Sequence, residues 1–89
     1  MKELYSIGNN PEEQGLPLFE IEGNEIYPSV FHPKYDAMPW YEIEGNEIYP
    51  TSFHPKGMDG LPWFEIEGNE VYTSIGHPNG PGELWYEIE

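Results

Sequence analysis

Glu42-Ile43-Glu44-Gly45-Asn46-Glu47-Ile48-Tyr49 lies in the middle of the chain and recurs almost letter for letter at Glu20–Tyr27 and Glu65–Tyr72. Two short alternating runs flank Gly-Asn. That pattern reads as a β-hairpin with a type II′ turn, whose first central residue sits at φ > 0 and so favours glycine. A two-residue turn fixes the register, which predicts Glu44 opposite Glu47, Ile43 opposite Ile48, Glu42 opposite Tyr49 and Tyr41 opposite Pro50. Tyr41, Ile43, Ile48 and Pro50 then share the core face. Glu42, Glu44, Glu47 and Tyr49 share the outer face, with Trp40 and Thr51 farther along it. Pro28 and Pro50 lack the N–H a ladder needs, so the second strand should end there or face outward.

Working outward, no segment longer than seven residues is free of both Gly and Pro. An interior Pro costs a helix about 3 kcal/mol and a Gly about 1 kcal/mol, so the chain reads as all-β. Hairpins are expected over Leu18–Ser29, Trp40–Thr51 and Trp63–Thr73. Glu3–Ser6 matches the second half of a hairpin, and Leu84–Glu89 the first half. Glu22, Glu44, Glu67 and Glu89 are spaced by 22, 23 and 22 residues, and 22 more lead from Glu89 through the chain ends back to Glu22. Four repeats therefore fill the sequence: 84–89 with 1–16, then 17–37, 38–60 and 61–83. Met1-Lys2 stands where Gly-Asn stands elsewhere, and the extra residue of the long repeat falls in Lys56–Gly60.

The half-hairpins at the two ends predict a closed all-β ring of four hairpins about a pseudo-fourfold axis, with the termini meeting inside one hairpin. Closure removes exposed strand edges. The alternatives are a strand-exchanged dimer, in which a second copy completes the hairpin, and a short β-solenoid. The 89 residues make one domain. A single hairpin is not stable by itself, and the apolar loop residues Phe31, Phe53 and Ile75, together with Leu16, Met38 and Leu61, are expected to fold back over the core.

Three Lys and no Arg stand against 17 acids, a formal charge of −14. Such a charge repels phosphate backbones and anionic lipid, so neither nucleic acid nor a membrane is an expected partner. Twelve of the acids belong to the hairpin copies, where they keep the sheet face soluble and discourage edge pairing. There is no Cys, and no signal peptide is read at Met1–Gly8, so the cytoplasm is the default expectation.

Two sets of residues invite chemistry. His32, His54 and His77 each follow the hairpin tyrosine by five residues, and Asn10 takes the fourth place. Three imidazoles meeting at an axis would suit zinc or nickel. The competing expectation is that each His or Asn holds its loop by bonding the backbone, a role an amide performs equally well. Trp40, Trp63 and Trp85, with Leu18 in the fourth place, stand near Tyr49, Tyr72, Glu42 and Glu65. Aromatic faces beside carboxylates are the materials of a glycan site, and several equivalent sites would add avidity. No catalytic residue stands out, because the polar groups follow the repeat and no copy differs in a way that would mark one active site. No cofactor is implied. The expected function is a non-catalytic module for binding or scaffolding. Its ligand would be a glycan or another protein, self-association into a homo-oligomer is a further option, and metal binding through the histidines is the alternative.

Overall fold

The computed structural model describes residues 2–12, 14–58 and 60–89. Met1 of the expected fourth turn, Glu13 of the first loop and Asp59 of the lengthened loop lie outside the described residues. Among the described residues eight strands run in chain order: β1 (Lys2–Ser6), β2 (Pro17–Glu22), β3 (Glu25–Pro28), β4 (Tyr41–Glu44), β5 (Glu47–Pro50), β6 (Phe64–Glu67), β7 (Glu70–Thr73) and β8 (Leu84–Ile88). All neighbours are antiparallel and the sheet closes on itself as a barrel, with β1 beside β8.

Turn chemistry sets the hairpins. Gly23, Gly45 and Gly68 sit at φ of 61°, 64° and 65°, and among the described residues no other residue type has positive φ. With Asn46 at negative φ, the turn is type II′. The register follows, pairing Glu44 with Glu47, Ile43 with Ile48, Glu42 with Tyr49 and Tyr41 with Pro50. Strands β3 and β5 end at Pro28 and Pro50.

The chain ends complete the same pairing. Leu4 faces Ile88, Tyr5 faces Glu87 and Ser6 faces Tyr86. The Glu3 N–H donates to the Glu89 carbonyl at 2.8 Å, and the Glu89 N–H donates back at 2.9 Å. Closure is thus made within one chain, and neither strand exchange nor an open solenoid is needed to complete the sheet.

Each seam between hairpins sets an aliphatic residue against an aromatic one inside the barrel: Leu4 with Phe19, Ile26 with Tyr41, Ile48 with Phe64 and Val71 with Tyr86. All eight are buried. On the outer wall the same seams pair glutamates, Glu3 with Glu20, Glu25 with Glu42, Glu47 with Glu65 and Glu70 with Glu87. Directly opposed like charges work against the sheet. Part of that is offset by Tyr5, Tyr27, Tyr49 and Tyr72, whose hydroxyls donate to Glu3, Glu25, Glu47 and Glu70 at 3.1 Å each. These bonds are the main reason the four phenols ionise above their ordinary range.

Two expectations are corrected. Trp40 is not on the outer face with Glu42 but buried, as is Trp85 at the equivalent place on β8, because at the loop end of the barrel the indoles pack edge-on against the histidine rings. The connections also do not tuck their apolar side chains over the core. Phe31, Phe53 and Ile75 are 55%, 49% and 69% exposed, and Met38 and Leu61 face solvent as well. What closes the loop end of the barrel is the row of tryptophans and histidines; of the loop residues named, only half-buried Leu16 packs on the core.

Candidate functional site

Four aromatic rings meet in the barrel, one from each hairpin. Phe19 on β2, Tyr41 on β4, Phe64 on β6 and Tyr86 on β8 contact one another in sequence at centroid distances of 5.7, 5.6, 5.5 and 5.7 Å, and the last contact returns to Phe19. All four contacts are edge-to-face, the arrangement the ring quadrupoles favour by about 0.5–1.5 kcal/mol per pair beyond burial.

A second set of rings stands around this one. His32, Trp40, His54, Trp63, His77 and Trp85 follow in alternation, with centroids 4.9, 5.3, 4.6, 5.2 and 4.4 Å apart. Asn10 continues the series, its amide donating to the Trp85 carbonyl at 3.3 Å.

The histidines hold their loops. Nδ1 accepts the backbone N–H two residues on in every copy: from Lys34 to His32 at 3.0 Å, from Lys56 to His54 at 3.1 Å and from Asn79 to His77 at 3.0 Å. Asn10 Oδ1 accepts from Glu12 at 2.9 Å in the same way. An Nδ1 that accepts leaves the proton of the neutral ring on Nε2. His54 uses that proton toward the Tyr41 hydroxyl at 3.0 Å. Asn10 takes the corresponding place near Tyr86, where it works against the rise in that phenol's pKa caused by burial. His32 and His77 stand instead against Phe19 and Phe64, which offer only ring edges. Among the described residues no group of three or more His, Asp or Glu side chains is arranged to hold a metal ion.

The tryptophans and the tyrosine–glutamate pairs part company. Trp40, Trp63 and Trp85 line one axial basin of about 340 Å3 with the three histidines and with Pro11, Pro33, Pro55 and Pro78. Glu42 and Tyr49 line a depression of about 500 Å3 on the outer wall with Glu25, Glu44, Phe53 and Met58. Glu65 and Tyr72 line a corresponding one of about 470 Å3. The wall depressions are bordered by exposed loops and glutamates. The basin is walled by buried rings.

Indole N–H groups follow their local sequence. Trp85 Nε1 donates to Glu83 at 3.0 Å. Two residues before Trp40 and Trp63 stand Met38 and Leu61, which have no side-chain acceptor to offer, and the Nε1 atoms of both tryptophans are buried without a partner. The sequence reading missed Tyr41 and Tyr86 as site residues. The signal was there in the Phe/Tyr alternation at 19, 41, 64 and 86.

Compared with family models, curated proteins and solved structures, the chain finds no match in any of the three.

Burial lowers the pKa of both His32 and His77 from the ordinary histidine range, with Glu12 and Glu83 opposing and Lys34 and Lys56 adding to the shift. Between the lowered value and about 6.5, the unfolded chain binds more protons than the folded one. This contribution to stability is therefore complete above pH about 6.5 and is lost as pH falls through the folded values. His32→Asn/His77→Asn, which copies Asn10, is expected to unfold in urea close to the parent at pH 7.5 and to lose less stability between pH 6.5 and 5. Urea midpoints across that range check it; parallel losses in the two proteins contradict it.

Proposed function

We propose that the chain is a non-catalytic binding module whose ligand seats in the axial basin. One observation carries this reading: all four connections send a Pro to the same concavity, and three of them a His as well. A Trp follows each of those three histidines into it, two from the connections and Trp85 from the start of β8. A basin of about 340 Å3 fits the small end of the usual range for ligand pockets, and its make-up of aromatic walls with a few polar groups is the usual one. In this reading the four sequence copies are pseudo-fourfold-related quarters of one composite site. Recognition then rests on a single seat per chain, with the wall depressions at Tyr49 and Tyr72 left to solubility. Flat indole and proline surfaces suit the apolar face of a sugar ring, which keeps a glycan as the ligand class of choice.

Catalysis has little support. Each His Nδ1 is already committed to the backbone and His54 Nε2 to Tyr41, so no imidazole is poised as a base beside a nucleophile. The same commitments leave the metal reading without a ligand set.

A scaffold reading has one observation in its favour, since Trp40, Trp63 and Trp85 are only 7%, 8% and 8% exposed. Trp63→Leu separates the two, because Leu18 already fills the equivalent place. A glycan-array screen followed by calorimetry is expected to give a ligand binding once per chain, with affinity reduced at least about tenfold in Trp63→Leu. If no glycan binds and Trp63→Leu alters only the melting temperature, the chain is a scaffold.

A further inference from the structure

The floor and rim of the basin carry a pattern of donors that aromatic walls alone do not explain. His32 and His77 are both more than nine-tenths buried, and Nδ1 of each is filled by a backbone N–H. Their remaining proton is on Nε2, and among the described residues nothing accepts it. Both rings line the basin, from the β3–β4 and β7–β8 connections on opposite sides of the barrel. Tyr41 and Tyr86 line it too, from strands β4 and β8, again on opposite sides. The Tyr41 hydroxyl oxygen receives His54, which leaves its O–H hydrogen to be donated, and no bond is seen from the Tyr86 O–H to a described residue. Four hydrogens thus border one concavity with no protein acceptor assigned to any of them.

Charge agrees with the hydrogens. The chain has only three cationic side chains, and two of them, Lys34 and Lys56, line this basin. Each stands two residues after a histidine, and its own N–H is the one that fixes the imidazole. Asn79 and Glu12 take the other two places, and among the described residues Glu12 is the only carboxylate of the lining. Elsewhere the acids of the hairpins face outward from the wall. A group that only accepts hydrogen bonds and carries negative charge complements such a seat.

We infer that the basin recognises an oxyanion, held by the Nε2–H groups of His32 and His77 and the hydroxyls of Tyr41 and Tyr86, with Lys34 and Lys56 at its rim. This deepens the binding-module reading and depends on the basin being the ligand seat. The oxyanion is either a free sulfate or phosphate or the carboxylate of an acidic sugar. The aromatic walls add contact only for the second.

The test titrates the intact protein with sulfate, phosphate, glucuronate and glucose at constant ionic strength, following the His32 and His77 side-chain resonances by NMR. Saturable shifts are expected with sulfate or phosphate and with glucuronate, and glucuronate is expected to bind more tightly if the sugar is the source. Lys34→Ala/Lys56→Ala should weaken binding at least about tenfold, whereas Glu12→Gln should tighten it. All three substituted side chains are at the rim, and unchanged circular dichroism verifies the fold. Glucose binding as well as glucuronate, with no response to the Lys or Glu12 changes, overturns the oxyanion but leaves the binding module standing. Saturation by none of the four probes overturns the oxyanion outright, and the glycan-array result then decides the broader reading.

Discussion

The contact on which this structure depends is the closed circuit of edge-to-face rings, Phe19 to Tyr41 to Phe64 to Tyr86 and back. No hairpin makes it alone. Each ring comes from a different hairpin, and each is seated by the aliphatic residue across the seam, Leu4, Ile26, Ile48 or Val71. The circuit therefore couples all four hairpins. Burial of these side chains, about 1.5–3 kcal/mol for each large one, is gained only when the barrel is complete. The outer wall opposes it, with glutamate facing glutamate at every seam. A sheet with that much like charge across it holds because its interior is continuous.

The same circuit sets up the loop end. With Phe at two positions and Tyr at two, the histidines and Asn10 above divide into two kinds. His54 and Asn10 meet hydroxyls, while His32 and His77 meet ring edges and keep an N–H to spare. One substitution of oxygen for hydrogen in alternate hairpins thus decides which polar groups are satisfied within the protein and which are left for something else. These N–H groups border the basin, where a ligand or ordered water can accept from them.

Much of this was readable from residues. Gly45-Asn46 fixed the turn and with it every partner across the hairpin, and the half-hairpins Glu3–Ser6 and Leu84–Glu89 implied closure. Asn10 in the histidine series pointed to a loop brace, and the backbone bonds to Nδ1 and Oδ1 are that brace. Other features were hidden because they depend on where regular structure stops. Alternation counted back from Ile43 puts Trp40 outside, but at the loop end of the barrel the indole is drawn inward against His32 and His54. Phe31 and Phe53 looked like covering residues from their hydropathy. The histidines beside them occupy that space, and the phenylalanines are left in solvent. The basin itself joins residues from four connections, and nothing short of the closed barrel brings them together.

Closure of the chain on itself is the central claim, and native-state amide hydrogen exchange tests it most directly. The Glu3 and Glu89 amides lie at the chain ends, where fraying normally makes exchange fast. If their reciprocal bonds complete the barrel, both amides should exchange only through global unfolding, with protection equal to that of Ile43 and Ile66 on the interior hairpins. Free exchange at Glu3 and Glu89 while Ile43 and Ile66 remain protected would mean that the barrel is open at its ends.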